Sequence, residues 1–299
     1  MRIMSLRGAF AATKQSPQHR RLLRFARNDI HPMIHTWKIT THPEEIHFRD
    51  NSSLDAVTRQ LPNGWYSTFR TFDSCTRVIG LSAHLKRLPH ADASFLRASL
   101  TRLLEPYRPG EARVRVMEAH SREFYISIEP LTPLPREIYE NGVRVETTSL
   151  HRDDPRVKSM AFISASDAER KHLASEGIFE ALLVKNGRIL EGMTSNFFYV
   201  TQVGNLRYVE TASKDILLGV TRRMVIRAAR GRGLGVRYRS LRLDQLSRVK
   251  EAFITSSSRG VVPVIQIDDV RVGQGRVGRT TKLLMKAYEE YVIRHAEKI

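Results

Sequence analysis

The polar segment His151–Pro155 falls at the midpoint of the 299-residue chain and ends in a proline. Proline fixes φ and withholds a backbone donor, so neither a helix interior nor a central strand runs through it. At roughly 100–200 residues per domain, this length allows two domains or one large one. We read 151–155 as a linker. It separates a smaller N-terminal α/β domain, 33–150, from a larger C-terminal one, 156–299. No internal repeat is visible on either side.

Local patterns on the two sides mix strands and helices. Trp65–Phe72 is aromatic, β-branched and Thr-rich, and predicts a strand. Leu81–Leu88 and Ser94–Leu104 carry apolar residues at helical spacing. Ala112–Glu118 and Glu123–Glu129 predict a strand pair. Pro130, Pro133 and Pro135 then break the pattern, and Gly142–Leu150 predicts another strand. Beyond the linker, Ala168–Ser175 reads as a helix and Phe179–Val184 as a strand. Asn186-Gly187 is a hairpin turn into Arg188–Leu190. Asn196–Val200 is a strand, and Thr221–Arg230 is a helix opened by Gly219. Ala252–Ser256 and Val261–Ile267 are strands, and Thr280–His295 is a long helix. Its stripe of Leu283, Leu284, Ala287, Tyr288, Tyr291 and Val292 is a core face. The class is mixed α/β. Neither a phosphate-loop lysine signature nor a dinucleotide glycine fingerprint occurs.

Composition narrows the function. Apolar residues make up 41% of the chain, enough for a packed core. A single cysteine, Cys75, excludes an internal disulfide framework and a Cys-rich zinc site, and fits a reducing, cytoplasmic setting. No run approaches the ~18 apolar residues of a membrane helix, so no membrane partner is expected. Lys and Arg number 49 against 31 Asp and Glu, a formal charge of +18. Residues 1–32 hold seven of those cations and one acid, Asp29. The rest are dispersed, with neither a basic block nor an aromatic-plus-basic motif, so no nucleic-acid partner is expected. The 1–32 stretch has the composition of a mitochondrial-type presequence. We read it instead as a basic, disordered extension without a structural role, ahead of Met33.

Singly, the chemistry-bearing residues are unremarkable. Lys158 follows Arg156-Val157. Glu191 closes a strand in Glu191-Gly192-Met193-Thr194-Ser195-Asn196. Arg87 sits in His84-Leu85-Lys86-Arg87-Leu88, and Gly219-Val220-Thr221 precedes a helix. In this order, together with Phe69-Arg70, Phe197-Phe198 and Phe253-Ile254-Thr255-Ser256-Ser257-Ser258 through Pro263-Val264, they form a pattern. Over roughly residues 60–295 the chain resembles the class IV (fold type IV) pyridoxal-phosphate enzymes. These include branched-chain aminotransferases, D-amino acid aminotransferases and aminodeoxychorismate lyases.

That resemblance implies pyridoxal 5'-phosphate as cofactor and a role for each block. Lys158 matches the Schiff-base lysine, which also moves the proton between substrate and cofactor. Glu191 matches the acid facing the pyridine nitrogen. Arg87 matches the phosphate-binding arginine, whose planar fork suits two oxygens. Gly219, Val220 and Thr221 match the turn that offers backbone N–H groups to the phosphate at a helix start. Ser257 matches a further phosphate-contacting hydroxyl residue. Tyr66 stands where relatives place an aromatic over the cofactor. Arg113 and Arg115 alternate on one strand face; Arg115 matches a substrate-side arginine of branched-chain relatives, and Arg113 replaces a tyrosine.

Other positions pull between branches of the family. Ser67 replaces the glutamate of the branched-chain pattern, and Ile163 stands where many relatives have a tyrosine. Thr68 and Leu81-Ser82-Ala83-His84 are similar to the lyase branch. Gly219-Val220-Thr221-Arg222 and Thr255–Ser258 are similar to the aminotransferases. The leading expectation is transamination between a branched-chain or hydrophobic L-amino acid and a 2-oxo acid such as 2-oxoglutarate. Aminodeoxychorismate lyase and D-amino acid aminotransferase activities are the alternatives. The resemblance further implies a homodimer, with the cofactor in a cleft between two domains.

Overall fold

The computed structural model describes residues 34–299, so the expectation for 1–32 lies outside the described residues. Residues 34–299 form two β-sheets flanked by helices, matching the expected mixed α/β class.

The smaller, seven-stranded sheet is built mainly from the first third of the chain. It contains β1 (His35–Ile39), β2 (Glu44–Ile46), β3 (Gly64–Phe72), β4 (Arg77–Ile79), β5 (Ala112–Ala119) and β6 (Phe124–Pro130). Helix α1 (Leu54–Arg59) precedes β3; α2 (Leu81–Leu85) and α3 (Ala93–Leu104) lie between β4 and β5. Asp92 caps α3 by accepting from the Ser94 and Phe95 N–H groups. Leu81, Leu85, Leu96, Leu100 and Leu104 from these helices pack on Phe69, Val114, Val116, Ile126 and Ile128 of the sheet. Fully burying each such side chain stabilises the fold by about 1.5–3 kcal/mol.

After α4 (Arg136–Asn141) the chain enters the second sheet with β7 (Val143–Thr148). The crossing therefore falls between Pro130 and Val143, upstream of the expected linker 151–155. β7 is recruited because its hydrogen-bond partners lie in later strands. Helices α5 (Ala161–Ala165) and α6 (Asp167–Glu176) lead to β8 (Glu180–Lys185), β9 (Arg188–Gly192), β10 (Asn196–Val203) and β11 (Leu206–Thr211). Asn186 and Gly187 join β8 to β9 with φ of 51° and 67°, the left-handed pair of a two-residue hairpin turn. Helix α7 (Val220–Gly231) is followed by β12 (Gly235–Tyr238), β13 (Leu241–Arg242), β14 (Glu251–Ser256), β15 (Gly260–Ile267) and β16 (Val270–Arg271).

In this ten-stranded sheet β12 and β13 stand at opposite ends of the strand order, yet only Arg239 and Ser240 connect them. Two residues span at most about 11 Å between flanking Cα atoms, so the sheet curls nearly into a barrel. Its interior is filled by Val145, Leu182, Phe197, Ile254, Val262 and Val264 among others. Helix α8 (Arg279–His295) buries Leu284, Ala287, Tyr288 and Val292 of the expected stripe. The chain then returns to the smaller sheet, where β17 (Ala296–Lys298) pairs antiparallel with β4.

Candidate active site

Backbone pairing brings Lys158 to the smaller sheet. The Tyr66 N–H donates to the Lys158 carbonyl (3.0 Å) and the Met160 N–H to the Gly64 carbonyl (3.2 Å), with a bridge between Trp65 and Ser159. Residues 158–160 thus form a short stitch along β3. Strand alternation turns Tyr66 toward Lys158, whose Nζ lies 4.8 Å from the ring centroid. Burial pushes the Lys158 ammonium well below the ordinary lysine range, and the positive charges of Arg115, Arg87 and Arg152 push it further. Both effects favour the neutral amine, which is the nucleophilic form.

Glu191 approaches from the other sheet. The β8–β9 ladder shifts register there, pairing Leu183 with Glu191 but Val184 with Ile189. Leu190 is the bulged residue, and such a bulge re-aims the side chain that follows. The Glu191 carboxylate is 2% exposed. It accepts from Arg152 Nε, from Asn196 Nδ2 and from the Leu217 N–H, each at 3.1 Å. Burial pushes its pKa up to about 7, against the opposing pull of the Arg152 charge and the Leu217 N–H. Arg152 is itself buried. Its Nη2 donates to the Met193 carbonyl at 2.6 Å, and its guanidinium lies 3.8 Å from the Phe162 ring centroid.

A third group gathers at the start of α7. Arg87 Nη2 donates to the Leu218 carbonyl (2.7 Å). Burial lowers the Arg87 pKa to about 10, with a further contribution from Arg223. Neither guanidinium has a carboxylate within 4 Å among the described residues. The Thr221 and Ser257 hydroxyls are 3.3 Å apart. The first N–H groups of a helix have no acceptor within it, so those of Val220 and Thr221 add donors here. Gly219 is required by close approach: a Cβ there would lie 2.0 Å from Asn196 Oδ1. That amide cannot swing away freely, because its Nδ2 is held by Glu191 and by the Leu217 carbonyl at 2.7 Å.

The two strand arginines are placed differently from their expected role. Arg115 is 7% exposed and stacks 4.5 Å from the Tyr66 ring centroid. Its N–H groups go to Thr68 Oγ1 (3.1 Å), the Leu54 carbonyl (3.0 Å), Thr58 Oγ1 (2.6 Å) and Asp55 (2.8 Å). It latches α1 onto the sheet, and little of its donor capacity is left for a substrate. Arg113 lies two residues earlier on β5 and pairs with Glu129 on β6.

The structure therefore brings together Lys158, Tyr66, Arg115, Arg87, Glu191, Gly219, Val220, Thr221 and Ser257, and leaves Arg113 aside. Sequence reasoning did not single out Arg152, Asn196, His84 or Arg223 as site residues. Arg152 sits in the polar 151–155 stretch and carries no periodic signal. Asn196 and His84 stand within quoted motifs, but only the fold shows what they touch.

A pyridoxal phosphate molecule needs an amine, a buried acid for its ring nitrogen and a polar cup for a dianion. The half-buried amine of Lys158, the carboxylate of Glu191, and the carboxylate-free pair Arg87 and Arg223 beside the α7 N-terminus meet those needs.

Comparison with known proteins identifies the family. The family model "Amino-transferase class IV" matches residues 68–267. A D-alanine aminotransferase of Bacillus licheniformis is 30% identical over 169 residues, 55% of this chain and 57% of that protein. An aminodeoxychorismate lyase of Bacillus subtilis is 25% identical over 261 residues, 77% of this chain and 85% of that protein. The chain spans little more than half the length of the aminotransferase it matches. In fold it superposes on a fold IV transaminase of Curtobacterium pusillum with a TM-score of 0.68 at 21% identity, covering 87% of this chain and 98% of that one. Since the matched family region contains the two arginines, the lysine, the glutamate and the hydroxyls just described, the chain belongs to the class IV aminotransferases.

Proposed function

We propose that this chain is a pyridoxal-phosphate-dependent aminotransferase, acting between a hydrophobic amino acid, branched-chain L-amino acids foremost, and a 2-oxo acid such as 2-oxoglutarate. The observation that carries the reading is the Lys158 amine held on the Tyr66 face, its pKa lowered by burial and by the Arg115, Arg87 and Arg152 charges, with Arg152 in turn bonded to buried Glu191. When bound, the cofactor supplies a conjugated electron sink for the charge left on the substrate carbon.

Each residue has a physical task. Lys158 is the nucleophile that anchors the cofactor, and its freed amine is the base that takes and returns the substrate Cα proton. Glu191, fixed by Asn196 and the Leu217 N–H, holds a proton at the ring nitrogen. Arg87, Thr221, Ser257 and the backbone of Gly219–Thr221 hold the phosphate. Tyr66 walls the site, backed by Met117, Met160 and Ile163, and this apolar backing supports a hydrophobic substrate. The two-domain, homodimeric organisation implied by the family resemblance belongs to the same proposal.

A second reading is elimination from aminodeoxychorismate by the same Lys158 and Glu191. It is favoured by the long alignment with the Bacillus subtilis lyase. D-amino acid transamination is a third. The test is the visible spectrum with pyridoxal phosphate, wild type beside Lys158→Ala. A Lys158-dependent band that L-leucine bleaches and 2-oxoglutarate restores is expected. A band untouched by L-leucine but altered by aminodeoxychorismate or D-alanine moves the assignment to that substrate. No Lys158-dependent band refutes the proposal.

A further inference from the structure

His84 lies beneath the α7 N-terminus, 0% exposed, and both of its ring nitrogens have partners. Nδ1 is 2.8 Å from Ser67 Oγ, and Nε2 is 3.3 Å from Ser257 Oγ, which is in turn 3.3 Å from Thr221 Oγ1. The ring also packs against Phe69, with centroids 5.1 Å apart. Ser67 sits on the β3 face opposite Tyr66 and is likewise 0% exposed. These four polar residues come from β3, α2, α7 and the β14–β15 hairpin, and they form one line through the protein.

The line has a direction. Among the described residues, Nδ1 is the only side-chain partner of the Ser67 hydroxyl. Were Nδ1 protonated, it would donate to Ser67 Oγ and leave the Ser67 O–H buried without an acceptor, a costly arrangement. Ser67 therefore donates to Nδ1, and the ring proton resides on Nε2. Nε2–H then donates to Ser257 Oγ. With its lone pair so engaged, Ser257 can turn its own O–H outward, toward Thr221 or toward an anion at the α7 N-terminus. The opposite tautomer would consume the Ser257 proton in a bond to Nε2. Burial, together with the neighbouring charges of Arg87 and Arg223, lowers the ring pKa and so favours the neutral form that a one-proton relay requires.

We propose that His84 is a positioning residue for the cofactor phosphate: Ser67 fixes its tautomer, and the tautomer fixes Ser257 as a donor to the phosphate. This rests on the pyridoxal-phosphate reading and adds how this chain sets the polarity of the cup. The consequence is selective. The relay strengthens binding of a phosphate-bearing cofactor and is indifferent to the ring, so pyridoxal without its phosphate gains nothing from it.

Affinities for pyridoxal phosphate and for pyridoxal would be measured on wild type, His84→Phe and Ser67→Ala, with 15N NMR of the wild-type His84 ring. The expected result is an unprotonated Nδ1 in wild type. Pyridoxal phosphate should bind about tenfold more weakly to His84→Phe, the lower end for a hydrogen bond to a charged group. Ser67→Ala should lose affinity in the same direction, with pyridoxal binding unchanged in both variants. A protonated Nδ1, or equal weakening of both ligands, overturns the relay. If His84→Phe does not fold, Ser67→Ala and the wild-type ring shifts decide. A wild-type protein without a Lys158-dependent band removes the cofactor reading and the relay together. A band with an unchanged affinity ratio in the variants removes the relay alone.

Discussion

Replacing Glu191 by glutamine should change the pH dependence of folding by an amount that follows from its surroundings. In the folded protein burial raises the carboxyl pKa from 4.5 to about 7; in the unfolded chain it returns to its ordinary value. The folded state therefore holds the extra proton. The associated stability is fully present below the unfolded pKa and is lost as pH rises through about 7. The loss totals roughly 3 kcal/mol, of which about 2.5 kcal/mol falls between about pH 5 and about pH 8. Glutamine has no proton to lose, so Glu191→Gln removes the slope. It also leaves the Arg152 guanidinium buried without its carboxylate, but that penalty does not vary with pH over this range. Isothermal denaturation of cofactor-free wild type and variant at several pH values separates the two effects. The variant should be penalised most near pH 5, and its stability relative to wild type should improve by about 2.5 kcal/mol toward pH 8. A difference that stays constant with pH would mean that Glu191 is already ionised near pH 5, and the desolvation argument would be wrong.

Further outcomes follow from the same contacts. Arg152→Met should raise the Glu191 pKa further and shift the pH-dependent loss of stability to higher pH, seen in the same titration. Gly219→Ala should cost about 1–3 kcal/mol by overpacking against Asn196, and Asn196→Ala in the same chain should recover part of that cost, read as a double-mutant cycle. Arg115→Met should destabilise by about 1–3 kcal/mol, because the buried Leu54 carbonyl and the Thr58 hydroxyl lose their donor while Asp55 keeps only Arg170. Amide exchange in 54–59 should then accelerate more than in the centre of β5.

The strands and helices that form the centre of each sheet were legible because their periods are strong. The Trp65–Phe72, Ala112–Glu118 and Thr280–His295 patterns match β3, β5 and α8 closely. The short strand β1 and the edge strands β2 and β17 carry no legible signal, since a few residues have no measurable period and are held by their neighbours. Strand partners were hidden as well. Gly142–Leu150 reads as a strand, but nothing local says that β8 and β15 await it. The cofactor-site residues were legible only as an ordered set that resembles a family. The contacts that distinguish them are products of the fold. Arg115 is the clearest case: one arginine on a strand looks the same whether it greets a substrate or ties down a helix. Arg152 meets Glu191 across 39 positions of sequence, a distance at which no spacing rule operates.

The return of β17 to the smaller sheet has a consequence for how the chain can be made. The outer edge of β4 is paired by Ala296–Lys298; Arg97 and Ser82 bind Glu297, and Arg97 also binds the Lys298 carbonyl. These partners are translated after every strand of the larger sheet. A nascent chain that has already produced β1–β6 must therefore wait, with one margin open, until the second half has emerged. An exposed strand margin is an invitation to pair with another chain. Ribosome-bound intermediates should accordingly be most prone to aggregate in this interval. Deleting residues 296–298 would reopen the same margin in the folded protein.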